Sequence, residues 1–90
     1  MSHTIADIEK LLMRVKKIKG QLISLEKALE DEKECFKILQ QISAARGAIH
    51  SLMSEVLDGH IKEHLGNHVS EADREKEIQN LASLLKTYLK

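Results

Sequence analysis

The stretch "DGHIKEHLGNHVSE", residues 58–71, holds His60, Glu63 and His64 at i, i+3 and i+4. On a helix these positions are stacked neighbours, so two imidazoles and a carboxylate converge on one point, a geometry that suits a metal ion. Solvated polar surface at a helix end is the competing reading. Cys35 is the soft donor that could join them, but in a continuous helix the distance from it to His60 is about 38 Å at 1.5 Å per residue. One chain cannot close such a site. Two central helices packed antiparallel and crossing near Gly47 and Ala48 would set residue 35 of one chain beside residues 60 to 64 of the other, with two identical sites per two-fold dimer. The small side chains of Ala44, Ala45, Gly47 and Ala48 point to the same crossing.

Cys35 falls in the first turn of a helix, where the macrodipole and orphan amides favour a metal-binding thiolate; a buried apolar cysteine at a seam is the alternative. His3 lies in the leader, residues 1–5. Removal of Met1 would leave the α-amine of Ser2 beside it, so the leader either folds over a site or is an unordered tail. One thiolate with imidazoles, carboxylate and amine suits nickel, cobalt or zinc better than copper(I), and six donors favour octahedral nickel or cobalt over four-coordinate zinc. His50, beside the apolar stripe, reads as a hydrogen-bonded interior histidine, and His68 as a solvated loop residue.

These residues must be positioned by helices. The 90 residues contain no proline, one Tyr and one Phe, and the chain is rich in Leu, Ile, Ala, Glu and Lys, which predicts an all-α fold and a single domain over 1–90. The first helix carries Ile8, Leu11, Val15, Ile18, Leu22, Leu25 and Leu29 at alternating spacings of three and four, a seam for a partner helix, with Thr4 and Asp7 as its cap. In "LEDEKE", Asp31 and Glu34 have capping-box-like spacing and predict a second helix from about Lys33 to His64. Its stripe of Ile38, Ile42, Ala45, Ile49, Leu52 and Val56, widened by Leu39, Met53 and Leu57, predicts burial on more than one side. Ser70 and Asp73 cap a third helix with Ile78, Leu81, Leu85 and Tyr88 on its seam. A chain this short buries a thin core, so self-association is expected. There is no signal peptide and no membrane span, which predicts a cytoplasmic protein.

The net charge is zero, yet the first third is basic and residues 55 to 77 are mostly acidic. Lys10, Arg14, Lys17 and Gln21 recur at four, three and four along one side of the first helix, away from its seam, and a multimer of such stripes can neutralise duplex phosphates. Absent aromatics give single-strand or RNA binding little support. "HIKEH" formally matches the H-x-x-E-H pattern of inverted zinc peptidases, but so small a chain has no room for a substrate cleft around that helix.

"RVKKIKGQL" at 14–22, "ECFKILQQISAARGAI" at 34–49 and "EVLDGHIKEH" at 55–64 resemble the basic first-helix motif, the cysteine-bearing central helix and that helix's end in the CsoR/RcnR family of metal-responsive repressors, over essentially the whole chain. The resemblance implies a three-helix protomer, an antiparallel four-helix-bundle dimer and a disc-shaped dimer of dimers that releases double-stranded operator DNA when its effector binds. Copper sensors of the family carry a second cysteine at the position of His64, and persulfide sensors need a cysteine pair. The chain looks instead like the nickel/cobalt branch, whose ligands map onto His3, Cys35, His60 and His64, assisted by the Ser2 amine and Glu34 or Glu63. The formaldehyde-responsive branch also keeps the Cys35 equivalent, but its proline after the initiator methionine is replaced by Ser2, and His64 departs from its pattern too. His50 stands where asparagine is expected. On this resemblance the DNA-side residues are Arg14, Lys16, Lys17, Lys19 and Lys27, with Gln21 and Arg46.

Overall fold

The computed structural model describes residues 5–90, so the expected cap at Thr4 lies outside the described residues. The order is α1 (Ile5–Glu30), α2 (Cys35–His64) and α3 (Glu71–Tyr88), with no strand among the described residues. The chain is all-α with a three-helix protomer, as its composition and periodicity predict. No helix among the described residues is long and apolar enough to cross a membrane. The helices distribute over two compact units, one running to Val56 and the other from Leu57 to Lys90, with α2 contributing to both.

In the first unit α1 and α2 form an antiparallel hairpin, joined by a tight turn at one end and by ion pairs to Glu55 toward the other. The turn is built by hydrogen bonds from the Glu32 N–H to the Leu29 carbonyl (3.2 Å) and from the Lys33 N–H to the Ala28 carbonyl (3.0 Å). This is the 5→2 and 6→1 pattern that closes a helix on a left-handed residue. Glu32 is that residue, at φ 51°, although it has a Cβ that disfavours the conformation. Asp31 donates its N–H to the Lys27 carbonyl, so it belongs to the end of α1 rather than capping α2. Lys37 and Ile38 instead donate to the Glu34 carbonyl, which opens α2 at Cys35, two residues later than the spacing alone predicts.

The seam of α1 differs from the expected one. Ile18 and Ala28 are buried, and Leu11, Arg14, Gln21 and Leu25 are half-buried, a face with helical periodicity that includes two polar residues. Ile8, Val15, Leu22 and Leu29, also expected in the seam, stay exposed. The apolar residues of α1 therefore occupy two adjoining stripes, of which the hairpin covers one. On α2 only Ala45 is buried, while Leu39, Ile42 and Ile49 remain exposed, because α1 covers a single side of that helix. The expected burial on more than one side is not reached along the first half of α2, whereas Leu52, Met53, Val56 and Leu57 near its end are half-buried. A Cβ built at Gly47 meets nothing within 4 Å, so no backbone of the same chain approaches that position.

In the second unit the Ser70 hydroxyl accepts the Asp73 N–H (3.2 Å), the expected cap of α3. An Arg74 Nη2 donates to the Val69 carbonyl at 2.9 Å and ties the entry turn to the helix. Leu81, Leu85 and Tyr88 are half-buried, but Ile78 is exposed.

Two substitutions test these helix ends, read by urea unfolding at fixed protein concentration. Glu32→Gly should stabilise the protein by about 1 kcal/mol by removing the left-handed penalty. Ser70→Ala should cost about 1 kcal/mol.

Candidate functional site

Cys35 is the first residue of α2 and His64 the last, and the thiol is free and exposed. Cys35 is thus not a buried seam residue of the protomer. Glu34, directly before it, is exposed, and its carbonyl takes the first hydrogen bonds of the helix.

At the other end of α2, His60 and His64 are half-buried, with ring centroids 4.4 Å apart and planes tilted by 38°. The i, i+4 spacing read from the sequence does bring these imidazoles together. Glu63 is half-buried between them in sequence, and its carbonyl accepts a bond from His68 Nε2 at 2.8 Å. His68 is therefore an exposed residue with a defined backbone partner. Its ring lies 2.8 Å from where a Cβ on Gly66 would stand, so the loop's glycine makes room for it. His50, expected in the interior, is exposed, because the α2 face it shares with Ser43, Arg46 and Gly47 is an open hollow of about 320 Å³.

Sequence spacing did not point to Glu77. It lies on α3 with Oε2 3.0 Å from His60 Nε2. A carboxylate only accepts, so Nε2 is the donor in this pair, and in a neutral ring Nδ1 is the nitrogen that would offer a metal its lone pair. No spacing rule reaches across the turn between two helices, and the sequence signal for Glu77 was only its place in an acidic segment.

Ser2 and His3 lie outside the described residues. Among the described residues no three His, Cys, Asp or Glu side chains gather closely enough to hold a metal ion. The paired imidazoles and the exposed thiol, at opposite ends of α2, have the donor chemistry of a mixed nitrogen–sulfur site.

The basic face is divided. Lys16, Lys17, Lys19 and Lys27 on α1 and Arg46 on α2 are exposed, whereas Gln21 is half-buried. Lys10 Nζ lies 2.8 Å from Glu55 Oε1, and Arg14 Nε pairs with Oε2 of the same carboxylate. The stripe through Lys10 and Arg14 therefore borders α2 rather than lying wholly away from it. Arg14, four positions before the buried Ile18, and Lys10, four before Arg14, fall on the flank of the helix contact. The Lys10 hydrogen bond, with the charge of Arg14 adding to it, holds the Glu55 carboxyl below the usual carboxylate range despite some desolvation.

The chain matches the family described as metal-sensitive transcriptional repressor over residues 7–87. It is 47% identical over 90 residues to the transcriptional repressor RcnR of Salmonella paratyphi B, covering the whole of both chains. Its fold is similar to a variant of the formaldehyde-responsive regulator FrmR of Salmonella enterica serovar Typhimurium, with TM-score 0.87 and 40% identity, covering 97% of this chain and 99% of that one. It is also similar to the copper-sensing repressor CsoR with Cu(I) from Geobacillus thermodenitrificans, with TM-score 0.90 and 29% identity, covering 100% and 94%.

The lowered Glu55 carboxyl has a pH signature. Stability from its ion pairs is fully present above the ordinary carboxylate range and disappears as pH falls through the lowered value. Glu55→Gln should be less stable than wild type at pH 7, and the gap between their urea midpoints should close as the solution is made acidic. A gap independent of pH would refute this assignment.

Proposed function

We propose, for a chain that belongs to the CsoR/RcnR family of metal-sensitive transcriptional repressors, that it is a nickel- or cobalt-responsive member acting in the cytoplasm, bound to double-stranded operator DNA without metal and released with it. Family membership makes it a repressor rather than an enzyme, so "HIKEH" is not a peptidase motif here. The observation that carries the finer reading is the line of residues along one side of α2. At about 100° per residue, an unbroken helix carries Cys35, His60 and His64 within about 20° of one line. Leu39, Ile42 and Ile49 fall on the same side and are exposed in the protomer.

An apolar stripe ending in metal-binding groups at both ends is self-complementary when a second copy is laid against it antiparallel. Leu39, Ile42 and Ile49 then leave water, and Gly47, open in the protomer, lets the backbones approach. Cys35 of one protomer meets His60 and His64 of the other. Glu63 or Glu34, with His3 and the Ser2 amine from the leader, supplies the remaining donors. The still exposed Ile8, Val15, Leu22 and Leu29 of α1 offer a further surface for pairing dimers into a tetramer. The metal, when bound, supplies coordinate bonds that join the two chains. Nickel or cobalt suits this donor set, and zinc is the alternative ion.

On the DNA side, Lys16, Lys17, Lys19 and Lys27 present ammonium groups to phosphates, and Arg14 presents the part of its guanidinium not turned to Glu55. Gln21 and Arg46 are secondary contacts. A coupling of roughly 100-fold between metal and DNA affinity is in the ordinary allosteric range. The exposed thiol of Cys35 and the likeness to a formaldehyde-responsive regulator support a second reading, in which formaldehyde acts at Cys35.

Fluorescence anisotropy of the operator duplex separates these readings. Ni(II) or Co(II) should weaken binding by roughly 100-fold, and Cys35→Ala should abolish that response. Unchanged DNA affinity in the metal-loaded protein eliminates metal sensing, and release by formaldehyde alone favours the second reading.

A further inference from the structure

The pairing of Glu55 with Lys10 and Arg14 divides the cationic side chains of α1 into two kinds. Lys16, Lys17, Lys19 and Lys27 form no ion pair among the described residues and can follow a phosphate wherever it lies. Lys10 and Arg14 are instead tied to a fixed point on α2, each by a different oxygen of one carboxylate. The Arg14 Nε and the Glu55 Oε2 facing it are closed off from solvent and attract by charge with no hydrogen bond between them, while the Arg14 side chain as a whole stays 40% exposed and that of Lys10 65%. The inner edge of the guanidinium is held, and its outer end reaches solvent. A guanidinium paired at its inner edge with a carboxylate on a neighbouring helix has less freedom to turn than one on an unpaired side chain, and its planar fork can then meet a defined acceptor pair rather than merely add charge.

We infer that Glu55 is a positioning residue for DNA recognition, fixing Arg14 and Lys10 so that they discriminate one duplex from another instead of contributing to phosphate attraction alone. This rests on the DNA-binding reading above. A positioning role, a charge role and a structural role differ in what they do to specific and non-specific binding. Loss of a negative charge with nothing else strengthens both, because each protomer gains attraction for any phosphate backbone. Loss of folded structure weakens both. Loss of positioning weakens binding to the preferred sequence alone, because rotationally freed cations still neutralise phosphates but no longer hold one register.

The test uses the metal-free, full-length protein and two probes: a duplex enriched from a random pool by the wild-type protein, and an unselected duplex of equal length. Glu55→Gln should lower the ratio of selected to unselected affinity by about tenfold, with affinity for the unselected duplex equal or higher. Glu55→Asp, which keeps the charge but withdraws the carboxylate by one methylene, should lower the ratio as well; it carries the test if the glutamine variant loses its helical circular dichroism. A ratio unchanged in the folded variants, or affinities that rise or fall together, overturns the inference. Failure of the wild-type protein to enrich any duplex removes sequence-specific DNA binding itself, and the role of Glu55 in it.

Discussion

Apolar side chains left in water set the terms for the rest of this structure. Met13 at 71% exposure, Ile23 at 65% and Phe36 at 62% are large groups that a folded protomer ordinarily covers, and the buried apolar residues among those described are only Ile18, Ala28 and Ala45. Each such side chain withdrawn from water contributes on the order of 1.5–3 kcal/mol, so a protomer that exposes many of them is strongly driven to associate. The hairpin of α1 and α2 thus leaves apolar faces uncovered. Its uncovered faces are where further copies of the chain are proposed to sit, and the residues proposed to bind metal stand on one of them.

How much of this was legible in the sequence varies with the range of the interaction. Helix identity, the Ser70 cap and the closeness of His60 and His64 depend on residues three or four apart, and periodicity carries that information directly. The seam of α1 was only half legible. Apolar residues on its two adjoining stripes share one pattern of threes and fours, and nothing local says which stripe meets α2 and which awaits another chain. Arg14 and Gln21 lie on the covered face although hydropathy assigns them to solvent, because their stems can line a helix contact, and Arg14 Nε and Gln21 Oε1 are closed off from solvent there. Glu32 was invisible for another reason: glycine is the usual signal for a left-handed helix end, and here the backbone adopts that conformation without it.

Partners from different helices were beyond reach altogether. Glu77 against His60 and Glu55 against Lys10 and Arg14 are carboxylates whose positions follow from tertiary packing rather than spacing. Both lie beside residues singled out by their chemistry, one at the imidazole pair and one at the basic stripe. α2 carries Glu55 as well as Cys35, His60 and His64, so the proposed metal response and the basic face draw on residues of the same helix.

The most direct test of a site shared between two antiparallel α2 helices is complementation between defective chains. Cys35→Ala protein and His60→Ala/His64→Ala protein, each alone, should fail to give the cobalt–thiolate absorption band in the near ultraviolet. Refolded together, they should recover it in mixed dimers, since one of the two sites then combines an intact cysteine with an intact histidine pair. A mixture that forms mixed dimers yet stays as silent as its parents, or a band in either parent alone, would contradict a shared site.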